Sequence, residues 1–299
     1  MAEPKYRRPL NGTQLAILHE LYRHRIGTTQ LLASALQASD KNLLNRKLVV
    51  LLEQGYINRI YEPSYRLAHK HASFYLSSTG AKILKDIPGN SYSPRVLANI
   101  KRLKHPSDKF IDHALGVFEA CNQIKGQMGD SVRLFTKSEL ADFDYFPEPR
   151  PDAFIRLKTK DGEQQYLLEY VESSTPFRVI LGKIKSYIKY SDDGEWEVTN
   201  SPLPPILLVC DTPQLEKRVQ KYGLNAIDEA DEEELRFFTT NLTQLAANAE
   251  QPWTSLQDLD KSMLDEKNKI TAETQKIKDF EASILALKQN LEKRQANLT

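Results

Sequence analysis

The sequence is short of cysteine, of long apolar runs and of net charge, and each shortage excludes a class of protein. Its 299 residues include two cysteines, Cys121 and Cys210, each inside an apolar stretch and neither in a CxxC pair. A disulfide scaffold or a cysteine-ligated zinc site is thereby excluded, and both thiols are expected as buried packing residues in a reducing cytosol. No segment approaches the ~20 apolar residues needed to span a bilayer. The opening stretch MAEPKYRRPLNGTQ has no apolar signal core. A cytoplasmic protein with no membrane partner is the expectation.

The formal charge of +1 hides an asymmetry. Residues 1–110 carry 18 Lys and Arg against seven Asp and Glu, and the remaining residues carry 23 against 33. A basic module joined to an acidic remainder points the first module at a polyanion, with nucleic acid the leading candidate.

Asn11 or Thr13 caps a first helix with an apolar stripe of Leu15, Ile17, Leu18, Leu21 and Tyr22, ended by Gly27. Thr28 caps a second helix, TTQLLASAL. Ser39 and Asp40 cap a third, DKNLLNRKLVVLLEQ, which stops at Gly55. Leu43, Leu44, Leu48, Leu51 and Leu52 are expected inward, leaving Lys41, Asn42, Asn45, Arg46 and Lys47 outside. A strand YINRIYEP, a basic loop SYRLAHKHAS and a second strand with a closing helix, FYLSSTGAKIL, follow. Residues 10–87 resemble the winged helix-turn-helix fold. That resemblance implies a third helix in the DNA major groove and a hairpin against the backbone. Arg46 suits guanine and Asn42 or Asn45 adenine, while Arg59, Arg66, Lys70 and His71 suit phosphates. Some winged helices bind protein instead; the polar, basic outer face of helix three favours double-stranded DNA. Residues 88–108, rich in proline, read as a basic linker in which Arg95, Lys101, Arg102 and Lys104 either extend the DNA-facing surface or only solubilise the chain.

From Lys109 the order is α-β-β-β-α-β-α. KFIDHALGVFEACNQIK reads as a helix, SVRLFTKSEL, RPDAFIRLK and QQYLLEYVE as strands, FRVILGKIKSYIKY as a helix, PPILLVC as a buried strand and PQLEKRVQKYG as a helix. Pro151-Asp152, a strand, a turn and then Glu169 resemble the core of the PD-(D/E)xK nuclease superfamily. The resemblance implies two carboxylates converging on a Mg²⁺ ion, with a lysine two residues after the second. Here that position is Val171. Lys183 or Lys185, from the next helix, are the candidate replacements, and Glu119 is a candidate further ligand. Glu169 follows two leucines in a strand expected to be buried, where a lone carboxylate is costly.

Taken together, DHALGVFEA with His113, RPDAFIRL, LEYVESST and KIKSY resemble the plasmid replication-relaxation family. That family joins a winged helix to a PD-(D/E)xK-like domain and handles plasmid or mobile-element DNA. The resemblance also implies an acidic residue near Val171, and His113 reads as a structural helix residue. The acidic run at 228–234 reads as a solvated face. Leu256, Met263, Ile270, Ile277, Ile284, Leu291 and Leu298 then repeat every seven residues. They predict an amphipathic helix of about 65 Å, which either forms a homodimer through Met263, Ile270, Ile277, Ile284 and Leu291 or folds back as a single helix on the nuclease-like domain.

The expected fold is therefore α+β: a winged helix over 1–87, the 88–108 linker, a nuclease-like α/β domain over 109–250 and a coiled-coil helix over 254–299. The expected function is sequence-directed DNA binding in replication, mobilisation or control of a mobile element. The alternatives are a Mg²⁺-dependent endonuclease or nickase using Asp152 and Glu169, and a winged-helix transcriptional regulator.

Overall fold

The computed structural model describes residues 9–67, 70–87, 92–230, 234–248, 252–259, 270 and 273–284. Its contacts divide the chain into two units, Met1–Leu256 and Gln257–Thr299.

The first unit begins with helix α1 (Gly12–His24), strand β1 (Gly27–Thr28) and helices α2 (Thr29–Ala35) and α3 (Lys41–Glu53). The expected caps form. Asn11 and Gln14 make a reciprocal capping box on α1, Thr28 accepts from Leu31 N, and Asp40 accepts from Asn42 N and Leu43 N. Gly27 does not end α1. It lies in β1, and the turn out of the helix is made at Arg25, with φ 67°. Along α3, Leu44, Leu48 and Leu51 are buried, but Leu43 is 51% exposed, against expectation. The 4-3 spacing of the buried three defines the inward stripe, and Leu43 lies about 100° off it.

Strand β2 (Ile57–Ile60), short helix α4 (Pro63–Leu67), strand β3 (Ser73–Leu76) and helix α5 (Ser78–Lys85) follow. The three strands form an antiparallel sheet of order β1-β3-β2. The stretch expected as a linker holds helix α6 (Pro94–Asn99) and a 3-10 turn (Ile100–Lys104), which bury Val96 and Ile100 in the same core as α1 and α3.

Helix α7 (Asp108–Met128) connects this core to the larger sheet. Its Phe118 packs in the N-terminal core and stacks on His24, with centroids 3.8 Å apart, whereas Ala120, Cys121 and Ile124 pack on the sheet. The sheet runs in the order β4 (Val132–Thr136), β5 (Ala153–Thr159), β6 (Gly162–Val171), β7 (Ile206–Cys210), β8 (Phe237–Asn241) and β9 (Thr254–Ser255). Pairing is antiparallel from β4 to β6, parallel from β6 to β8 and antiparallel at β9. Helices α8 (Phe177–Asp192) and α9 (Pro213–Glu229) cover one face and α7 the other, with α10 (Leu242–Ala246) beside it. Strand side chains alternate accordingly: Leu167 and Val171 face α8, and Leu168 and Tyr170 face α7. Both cysteines are buried thiols, as expected.

The seven-residue repeat begins at Leu256. That residue belongs instead to the sheet core, fully buried, and its N–H donates to Phe237 O at 2.9 Å. In the second unit, residues 273–284 are helical, with Ile277, Phe280 and Ile284 exposed, as is Ile270. Met263 and Leu291 lie outside the described residues. Among the described residues, no helix is long and apolar enough to cross a membrane.

Candidate functional site

The buried carboxylates meet at one end of the large sheet, where β6 finishes and β5 begins. Asp152 and Glu169 are 4% and 1% exposed. Each has both oxygens engaged by the protein. Asp152 accepts from His113 Nε2 at 3.1 Å and from the Tyr170 backbone N–H at 3.0 Å. Glu169 accepts from Lys183 Nζ at 2.5 Å and from the Tyr187 hydroxyl at 2.6 Å. The other ring nitrogen of His113 lies 3.6 Å from Glu172, itself buried.

The ionisation states follow from these partners. Burial opposes charge on Asp152, but the bond from His113 and the nearby Lys183 outweigh it and hold the carboxyl well below its usual range. Burial likewise opposes a charged His113, yet the bonds to Asp152 and Glu172 raise it to about 9. His113 is therefore an imidazolium at neutral pH, clamped between two carboxylates. Burial pushes the Glu169 carboxyl up, Lys183 pulls it back, and Asp152 adds to the rise. Lys183 rises against its own burial because Glu169 and Asp152 face it.

A cavity of about 360 Å³ opens onto this cluster, lined by Phe110, His113, Tyr170, Glu172, Val179 and Lys183 among others. Tyr170 reaches its place because Gly116 on α7 has no side chain; a Cβ there would lie 2.1 Å from the tyrosine ring.

Of the residues expected at this site, Asp152, Glu169 and Lys183 come together. Lys185 does not: two residues further along α8 it points elsewhere and pairs with the exposed Glu229 at 3.3 Å. Glu119 is exposed on α7 and accepts from Gln123. Val171 is buried among the α8 side chains. Glu172, its neighbour, is buried and faces His113. Sequence reasoning missed Tyr187, although its i+4 spacing from Lys183 puts both on one helix face. His113, read as structural, is the residue that joins two of the carboxylates.

Each of the four oxygens of Asp152 and Glu169 accepts from one protein donor, so a Mg²⁺ ion held by these carboxylates would share them with His113, Lys183 and Tyr187. No cluster of three or more His, Cys, Asp or Glu suited to a metal occurs among the described residues.

On α3, Lys41, Asn42, Asn45 and Arg46 are exposed and Lys47 is half-buried. In the hairpin region Arg59, Arg66 and His71 are exposed; Arg59 sits 5.5 Å from the Tyr61 ring centroid, and Lys70 is paired with Asp112 at 3.5 Å.

The replication-relaxation family model matches residues 18–204, from α1 to the approach to β7. The chain belongs to the replication-relaxation family. In this family member the match spans both the basic helical part and the paired carboxylates. No curated protein matches the chain. Among solved structures, restriction endonuclease FokI aligns at 10% identity and a TM-score of 0.30, covering 79% of this chain and 42% of that one. FokI bound to DNA aligns at 12% identity and a TM-score of 0.27, covering 79% and 43%. The chain thus spans less than half of those structures, and such loose superpositions transfer no site.

Proposed function

We propose that this replication-relaxation protein binds double-stranded DNA through α3, in replication, mobilisation or control of a plasmid or other mobile element. The reading rests on one observation. Lys41, Asn42, Asn45 and Arg46 stand exposed along one helix and make no side-chain hydrogen bond or ion pair with any described residue. Polar and basic side chains left free in this way suit base edges and phosphates. The order α1-β1-α2-α3-β2-α4-β3, with its small antiparallel sheet, supports a winged-helix reading in which α3 enters the major groove.

In this reading the carboxylate cluster is a charge-paired group beside a cavity, with His113 and Lys183 donating to Asp152 and Glu169, and binding rather than cleavage is the activity proposed. The exposed Ile270, Ile277, Phe280 and Ile284 support self-association through the second unit, which would present two α3 helices to a two-half-site target.

Fluorescence anisotropy on a labelled duplex tests the reading. Affinity should fall steeply with salt as phosphate contacts release counterions. Arg46→Ala should cost about 1–3 kcal/mol. Salt-insensitive or absent duplex binding overturns it.

A further inference from the structure

Two cavities meet where the basic helical part packs against the large sheet, and Arg25 lines both. One, of about 220 Å³, is bounded by Arg25, Arg95, Lys137 and Arg150 among others. The other, of about 290 Å³, adds Arg102 and Phe110 to Arg25. The four cations of the first cavity differ in how they are used. Arg150 is spent on Glu148, Asp144 and the carbonyls of Leu140 and Phe143. That also neutralises Glu148, the acidic residue in the wall. The side chains of Arg25, Arg95 and Lys137 make no hydrogen bond or ion pair with any described residue.

Arg25 is the most telling of the three. It is a non-glycine residue at φ 67°, ψ −46°, and the Ile26 N–H donates back to His24 O at 2.8 Å. This is a γ-turn of the rare positive-φ kind, a conformation that costs energy for any residue with a Cβ. Ile26 is fully buried and the following Gly27 lies in β1, so the turn is pinned from one side. Burial lowers the Arg25 guanidinium, with Tyr22 and then Asp152 partly restoring it. Arg25 and Lys137 are half-buried and Arg95 is exposed, and the Arg25 guanidinium has no counterion in contact among the described residues. A guanidinium in that position lacks a bidentate anionic partner of carboxylate or phosphate shape.

We propose that Arg25, Arg95 and Lys137 form a phosphate subsite that takes a backbone phosphate of the bound DNA. The three residues come from the end of α1, from α6 and from the segment after β4. They bring the DNA track from the helical part to the edge of the sheet, beside Asp152, whose carbonyl accepts from the Lys137 N–H at 3.0 Å. This inference rests on the DNA-binding reading but not on α3: the two surfaces contribute separate contacts.

The test uses the full chain, a labelled duplex and a salt series. Arg25→Gly removes the guanidinium while relieving the positive φ, so the variant is expected to fold, which thermal unfolding checks. Arg95→Gln and Lys137→Gln are the companion variants. Each should weaken binding and make the slope of log K against log salt shallower by about 0.9. Folded variants with the wild-type affinity and slope overturn the subsite and leave the α3 reading intact. Wild-type protein that binds no duplex overturns both. Inorganic phosphate is the second arm. If it raises the wild-type melting temperature and not that of Arg25→Gly, while duplex binding is equal in the two, the site takes a free phosphate and the DNA assignment is overturned.

Discussion

Lys183 Nζ donates to Glu169 Oε2 at 2.5 Å, bridging α8 and β6 on the sheet face where Val171 offers no amine. Glu169 is almost wholly buried, so this pair decides whether a carboxylate is tolerable inside the sheet. Lys183→Met would leave that charge uncompensated and should destabilise the protein by about 3 kcal/mol, the low end for a broken buried pair because the lysine is partly exposed. Adding Glu169→Gln should recover most of the loss. Urea unfolding of the four proteins in a double-mutant cycle reads the coupling; additive losses would show that the contact contributes nothing.

Binding without cleavage is the activity proposed for the protein. Supercoiled plasmid incubated with the protein and Mg²⁺ or Mn²⁺ should stay supercoiled, with a mobility shift and no nicked or linear product. Metal-dependent nicking that disappears in Asp152→Ala would reverse the assignment and make Lys183 a residue of the reaction.

His113 carries a proton that the fold favours. Its pKa is raised from 6.5 to about 9, so the stabilisation is complete below pH 6.5 and is lost as pH rises through about 9. Asp152 acts in the opposite sense: its lowered pKa gives stability present above about 3.8 and lost as pH falls. The melting temperature should therefore decline between about pH 6.5 and 9, and His113→Gln should flatten that decline. An equal decline in both proteins would remove His113 as its source.

Gly116→Ala places a methyl group into the Tyr170 ring, in the strand segment whose N–H supports Asp152. Overpacking of this kind costs about 1–3 kcal/mol. The melting temperature should drop, while Gly126→Ala on the same helix, where nothing lies within 4 Å of the added carbon, should leave it unchanged or raised.

Removal of residues 257–299 should halve the mass seen by light scattering without unfolding the rest. The cut falls after Leu256 because Thr254–Ser255 pair with β8 and Leu256 fills the core. An unchanged mass would show that the exposed isoleucines do not drive association.

Much of the fold was legible in local pattern. The caps at Asn11, Thr28 and Asp40, the α3 stripe of Leu44, Leu48 and Leu51, and the strands around RPDAFIRL and LLEYV each declare themselves within a few residues. Strand β8 and the two residues of β9 did not. FFTTN is short and has no clear alternation, and it is held by pairing with β7 and β9 rather than by its own propensity. Leu256 fitted a heptad as well as a core position, because a seven-residue repeat says only that a position is apolar and not what will cover it.

The sequence by itself determined the family, the basic and acidic halves and the principal helices and strands, since these depend on composition and short-range periodicity. Tertiary structure alone decided the chemistry of the carboxylates. His113, Asp152, Glu169, Glu172, Lys183 and Tyr187 are spread over two helices, one strand and the positions just before β5 and after β6. Their charges and partners are set by which side chains meet across the sheet end, and spacing along the chain gave only Asp152, Glu169 and Lys183 as candidates. Arg25 shows the same limit: only the fold brings it into one cavity with Arg95 and Lys137.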